Sequence, residues 1–343
     1  MARKATTSRP TLAMIAKECG VSNATVSRVL RGDHAHGFSV RPEVRDRIMQ
    51  TVAKLNYRPD LTARSLRAQQ THVIAVLGLN HQWKSSSDVN NAAIGAAVDV
   101  LHELGYSVCT SFPKPTADGS SEGQLPPWRV DGYLLVGIQT HKSLVEVEAS
   151  GIPYVGINTR VGTKGYACQV DDALGIKKVL DYLQEMGHQR IAYRNGSADR
   201  ARPDSHAVQD RHVAFVNEIT SRQLPLLDHH ESMVMDDKEF LNQALAAKAT
   251  AILSYDLTES IRLMQAAYQM SVNIPGDISL IGFNDEYPAA LLTPPLTVMG
   301  VPARSMGRQA AVMLVDLLQG RKVDERIRVF EEQLITRQSV ARV

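Results

Sequence analysis

Asn23, Ala24, Ser27 and Arg28 recur at the spacing that places side chains along one face of a helix. They are small or hydrogen-bonding and include no acid–base pair, which suits an edge that meets donors and acceptors better than one that meets water. The opposite face of the same helix would be Val26, Val29 and Leu30, and Ser22 stands where an N-cap belongs. Just before it, Leu12, Ile15, Ala16 and Cys19 form the buried face of another short helix. Gly20 gives the freedom for a tight turn, with Val21 packing beneath. Two short helices around a glycine turn, the second with a donor-rich edge, predict a helix-turn-helix whose second helix enters a DNA major groove.

Catalytic chemistry finds no comparable arrangement. The sequence has no GxGxxG after its first strand pattern, no phosphate loop, no GxSxG and no HExxH. Its eleven histidines are dispersed, and the adjacent pair His229-His230 would point to opposite faces of a strand. Cys19, Cys109 and Cys168 lack metal-ligand spacing and sit in apolar segments, as reduced core thiols do. The expectation is a protein with no catalytic residues, no metal and no cofactor. The 343 residues are 44% hydrophobic and 22% charged, the composition of a soluble globular chain with room for two or three domains. MARKATTSRP is followed by no apolar h-region and no stretch is long enough to span a bilayer, so a cytoplasmic protein without membrane contact is expected. Charge is uneven: residues 1–69 hold 13 Lys+Arg against 5 Asp+Glu, net +8, and the rest 25 against 31, net −6. A basic head on a mildly acidic body suits a nucleic-acid module joined to something else.

The elements that must position these residues follow in order. Residues 1–10 read as a basic arm. Pro42 opens a third helix, with Val44, Ile48, Val52 and Leu55 on one face and Arg45 and Arg47 on another. Asp60–Ala68 is capped by Asp60 but too short to hold alone in water. Its Leu66, beside Arg64 and Arg67, reads as a hinge-helix wedge between base steps in a minor groove. From Thr71 strands and helices alternate: Val73–Leu79, Asn90–Leu104, Ser107–Phe112, Gly132–Val136, Lys142–Ala149 and Tyr154–Ile157. A second set follows with Asp172–Met186, Arg190–Tyr193, Asp210–Thr220, Ala251–Ser254, Asp256–Met270 and Ile278–Phe283. Such alternation predicts two Rossmann-like parallel sheets with a ligand cleft between them. Ligands sit at the carboxyl ends of strands, which selects Asn158, Tyr255, Asp256, Asn284 and Asp285. Met306, Ala310, Met313, Leu314 and Leu317 make a helical stripe over Ala303–Leu318 that reads as core.

GVSNATVSRVL, NYRPDLTARSL, GFND, PPLTVM, MGRQA and LITRQS, in this order, resemble the LacI/GalR family of bacterial transcription regulators from about Thr11 to about Ser339. The resemblance implies a two-lobed body like that of periplasmic sugar-binding proteins, crossed three times by the chain, here near residues 165, 295 and 327. It matches Leu66 to the leucine that opens a base step of a palindromic operator, and Ala63 and Arg67 to minor-groove positions. Asn23 and Ala24 match the positions that vary with operator sequence, and Thr25, Ser27 and Arg28 match anchoring and base-contact positions. Thr11, Ser22 and Tyr57 complete the DNA-facing set. Arg211 matches the arginine that grips effector hydroxyls or carboxylates. One departure is Val40-Arg41-Pro42, where members often carry Val-Ser and so a capping hydroxyl.

The expected domains are a helix-turn-helix domain over 1–59, a hinge helix over 60–69 and a body over 70–343. Its first lobe would take about 70–165 plus 296–326, and its second about 166–295 plus 327–343. Asn158 and Asn284 stand where sugar-binding members often have aspartates, while Arg160 and Arg211 remain. Trp83 offers a stacking face in an altered first loop. Two fewer carboxylates beside two cations predict an anionic effector, a sugar acid or sugar phosphate. Loss of the usual first-loop residues leaves an effector-independent or protein-partner-controlled regulator as the alternative. An Arg211→Ala change is expected to remove the effector response and leave operator binding intact. The chain carries no leucine heptads after LITRQS, so a homodimeric repressor on two half-sites is expected.

Overall fold

A computed structural model describes residues 10–31, 39–57, 70–78, 88–111, 114–115, 121–122, 125–126, 128–137, 141–196, 206–228 and 235–343. The chain separates into two compact units, Met1–Thr71 and His72–Val343.

Among the described residues, three helices make the first unit: α1 (Leu12–Cys19), α2 (Asn23–Arg31) and α3 (Pro42–Lys54). Thr11 Oγ1 accepts from the Met14 amide and caps α1. At the other end Gly20 takes φ +61°, a left-handed conformation, and Val21 N–H returns to Ala16 O at 3.0 Å. Ser22 Oγ accepts from Thr25 N at 3.1 Å, satisfying one orphan amide of α2. Ile15, Ala16, Cys19, Val26 and Ile48 form a miniature core, ringed by Leu12, Val29, Leu30, Val44, Val52, Leu55 and Tyr57. Arg41 precedes α3 and makes no side-chain cap, as the missing hydroxyl implied.

The second unit contains two six-stranded sheets and a small ribbon, β3 (Lys114–Pro115) with β4 (Ser121–Glu122). The first sheet draws on β1 (Val73–Leu77), β2 (Ser107–Thr110), β5 (Gly132–Val136), β6 (Tyr154–Ile157), β7 (Tyr166–Val170) and β13 (Ile327–Phe330). Its order is β13-β7-β6-β5-β1-β2, parallel throughout. Ile74 and Val76 pack into one core with α4 (Asp88–Glu103) and α10 (Ala303–Leu318), while Ala75 and Leu77 pack into another. Both faces are thus covered, in the period-two alternation of a strand, on the second by α5 (His141–Ala149) through Val147.

The second sheet has the order β14-β12-β11-β10-β8-β9. Its strands are β8 (Ile191–Arg194), β9 (Leu227–Asp228), β10 (Ala251–Ser254), β11 (Ser279–Phe283), β12 (Thr297–Gly300) and β14 (Gln333–Ile335). Only β14 runs antiparallel to its neighbour. α6 (Asp172–Glu185) and α7 (His206–Ser221) cover one face, and α8 (Asp237–Ala246) and α9 (Leu257–Gln269) the other.

Strand membership corrects the expected lobe borders of 165, 295 and 327. β7 and β13 belong to the first sheet and β12 to the second, so the chain crosses near 171, 301 and 331. Each crossing lies beyond the strand that precedes it, because a strand completes its hydrogen bonds before the chain leaves its sheet. The expected stripe of α10 is core: Met306, Ala310, Met313 and Leu314 are buried, and Leu317 packs against them. Cys19 and Cys168 are buried and Cys109 half-buried, all unpaired. Burial pushes the Cys168 thiol up to about 12.

Candidate nucleic-acid and effector sites

On α2, packing Val26 inward turns Asn23, Ala24 and Arg28 to the exterior, with Thr25 and Ser27 half-buried at the edges. The outward edge therefore carries an amide, a methyl, two hydroxyls and a guanidinium, a set that matches base edges in a major groove. Thr11 and Ser22, both exposed, work in this structure as helix caps. Tyr57 packs on the miniature core. Ala63, Leu66 and Arg67, with the rest of the expected hinge helix, lie outside the described residues, as does Trp83.

In the second unit the expected pocket arginine is buried. Arg211, on the first turns of α7, is 2% exposed. Its Nε donates to Asp172 Oδ1 at 2.6 Å and its Nη1 to the Tyr255 carbonyl at 2.9 Å. Nη2 stands 3.6 Å from Glu332 Oε1, and the guanidinium lies over the Phe283 ring at 4.0 Å, with the Tyr255 ring at 5.3 Å. Burial disfavours its charge, but the Asp172 and Glu332 carboxylates outweigh that and hold it above its ordinary range. The structure thus brings Arg211 and Tyr255 together, and adds Asp172, Glu332 and Phe283.

Arg160 follows β6 and donates to Asp210 Oδ1 on α7 at 2.9 Å, a bridge from one lobe to the other. The two residues wall a cavity of about 290 Å³ together with Gln169, Asp171, Asp172 and His206. Burial lowers the His206 pKa, against the pull of Asp172 and Asp210, and so favours the neutral ring.

Asn158 and Asn284 occupy corresponding places, just past β6 and β11. Asn158 takes φ +45° and its amide donates to Cys168 O at 2.8 Å. Asn284 takes φ +71° and its amide donates to Met299 O at 2.8 Å. Asparagine is among the few non-glycine residues at ease in that left-handed region, which gives both a backbone role. Asp256 caps α9 by accepting from Glu259 N at 2.8 Å, and Asp285 pairs with Arg337 at 2.6 Å.

Arg160 and Arg211 each already face a carboxylate, from Asp210 and Asp172, which the sequence reading left out of the pocket. Asp172 was legible by the same rule that selected Asn158, since it follows the end of a parallel strand. That strand, β7, is half-polar in Gln169 and its flanks and went unread. Glu332 gave no such signal, lying between two strands that were both missed.

Comparison with known proteins agrees with both units. A family model described as bacterial regulatory proteins, lacI family, matches residues 11–60, and one for a periplasmic binding protein-like domain matches residues 180–340. Residues 11–60 are thus a lacI-family DNA-binding domain, and residues 180–340 belong to a periplasmic binding protein-like domain. Relatives include the transcriptional regulator CelR of Thermobifida fusca, 27% identical over 343 residues and covering 96% of this chain and 98% of that one. The transcriptional repressor PurR of Vibrio vulnificus is 25% identical over 346 residues, with 97% and 99% covered. A structure of the Lac repressor dimer bound to operator and the anti-inducer ONPF has a TM-score of 0.79 at 21% identity, covering 97% of this chain and 99% of that one. Like these relatives, this chain is a DNA-binding transcription regulator with a periplasmic-binding-protein-like body rather than an enzyme. Among the described residues no helix is long and apolar enough to cross a membrane, and no cluster of potential metal ligands occurs.

Proposed function

We propose that this regulator represses transcription in the cytoplasm as a homodimer on a near-palindromic operator. The exposed edge of α2, with Val26 anchored beneath it, carries this reading. Asn23, Ala24, Thr25, Ser27 and Arg28 read base edges, while Thr11, Ser22 and Tyr57 set the helix ends that meet phosphate. Ala63, Leu66 and Arg67 supply the minor-groove contacts, and the basic head supplies most of the salt-dependent affinity.

A small molecule between the lobes sets that affinity through the relative placement of the lobes. Residues around it are Trp83, Asn158, Arg160, Arg211, Tyr255 and Asn284. With both arginines already opposite carboxylates, the effector is an uncharged, hydroxyl-rich molecule rather than the sugar acid or sugar phosphate that the sequence alone favoured. The solved complex of CelR with cellobiose supplies a precedent in a relative of this fold.

Selection of binding sites from random duplex DNA with the full chain tests the operator reading. Two inverted half-sites are expected, and Asn23→Ala should alter base preference at one symmetry-related pair of positions. Selection of a single asymmetric site, or an unchanged preference in the variant, overturns it.

A further inference from the structure

Glu332 lies on the last crossing between the lobes, after β13 of the first sheet and before β14 of the second. Its side chain is 1% exposed, and among the described residues neither carboxylate oxygen takes a hydrogen bond. The seat is built closely around it: a Cβ added at Gly175, in the first turn of α6, would stand 1.9 Å from Oε2.

The charges that face this carboxyl do not balance. From the start of α6 come Asp172 and its N-cap Asp171, and from α7 comes Arg211, while His206, earlier on α7, stands beside Asp172 and Arg211. Arg211 gives its Nε to Asp172 at 2.6 Å and leaves Glu332 at 3.6 Å, beyond a hydrogen bond. Lys178 of α6 donates to the Glu332 backbone carbonyl at 3.0 Å but pairs its charge with the neighbouring Glu331. Burial lowers the His206 pKa and so disfavours a second cation here, and the Phe283 ring lies beneath the guanidinium. One guanidinium therefore faces two buried carboxylates, and a buried charge without a bonded partner is costly.

We propose that Glu332 is a proton-binding site, and that the joint between the lobes holds one proton per chain in the arrangement seen here. Protonation leaves a balanced Arg211–Asp172 pair beside a neutral acid. Loss of the proton puts a second carboxylate against Asp172 and draws the crossing segment toward water, so pH acts on the same joint that an effector would move. Consistent with this geometry, burial raises the Glu332 pKa to about 8 from an ordinary 4.5, with Asp172 and Asp171 adding to the rise and Arg211 opposing it.

The sign follows from linkage. A carboxyl raised in the folded state holds its proton while the unfolded chain has lost it, so the stability it permits is complete below about 4.5 and declines up to about 8. The decline amounts to roughly tenfold in the folding constant per pH unit across that window.

Denaturant unfolding of the full chain across this range, wild type against Glu332→Gln, is the test. The glutamine variant keeps shape and removes the titration, so its profile should lack that one-proton slope. Parallel profiles overturn the proposal. If Glu332→Gln fails to fold, Asp172→Asn decides: it frees Arg211 for Glu332 and should move the upper end of the window to lower pH, whereas an unmoved window overturns the assignment. Small-angle scattering of the wild type should show a larger radius above the midpoint than below it; a radius unchanged by pH removes the link to the lobe joint.

Discussion

Arg211 shows how much a single side chain changes meaning once its neighbours are known. As an exposed pocket cation it would be replaceable, with loss of ligand response and nothing else. Buried between Asp172 and Glu332, it neutralises the Asp172 carboxylate at 2.6 Å where little solvent reaches. Arg211→Ala is therefore expected to cost about 3–5 kcal/mol of stability, measured by chemical denaturation, since it leaves charge buried without a partner. An unchanged midpoint would mean that the cluster relaxes into water. The sequence could name Arg211 but not this consequence, because the acids stand far from it along the chain, one after β7 and the other before β14. Asn158 and Asn284 carry the same lesson in reverse. Their identity looked like a choice of ligand chemistry, and their positive φ angles account for it through the backbone.

At the scale of elements, what was legible depended on how cleanly burial and periodicity coincide. α1 and α2 carry caps and a glycine turn between them, α3 opens on Pro42, and each has an apolar face within a short segment, so their limits are readable from the residues alone. β13, with Arg328 and Val329 outward on the edge of its sheet, has an exposed middle and no apolar run. β7 and β12 were unread as strands for a different reason, since each is flanked by loop-like residues and is short. α8 was missed because its apolar residues Phe240, Leu241 and Ala244 span little more than one turn. A close helix contact also escapes pattern reading. A Cβ at Gly307 of α10 would stand 1.9 Å from the Ala93 carbonyl oxygen of α4, backbone against backbone, so neither side can step aside. Gly307→Ala should cost about 1–3 kcal/mol by overpacking, seen as a lower thermal midpoint of the body. A midpoint at or above that of the wild type would show that the two helices separate freely.

For the molecule as a whole, effector charge is the property that separates the sequence reading from the structural one. A thermal-shift comparison of a neutral sugar with the acid of the same carbon skeleton, run on the full chain, distinguishes them. The neutral compound should raise the midpoint more, because an added carboxylate would approach arginines that Asp172 and Asp210 already face. A larger shift with the acid would restore the anionic effector.

The three crossings also set an order of events during synthesis. β8, β10, β11 and β12 of the second lobe leave the ribosome as one stretch from Ile191 to Gly300, with their intervening helices. The first lobe has no such continuity: α4 ends at Glu103, and the helix that covers it does not begin until Ala303. At bacterial elongation rates its apolar face waits about 10–40 s for that partner. The lobe that begins first is thus finished after the central strands of the other, and its half-made form is the species a chaperone would meet.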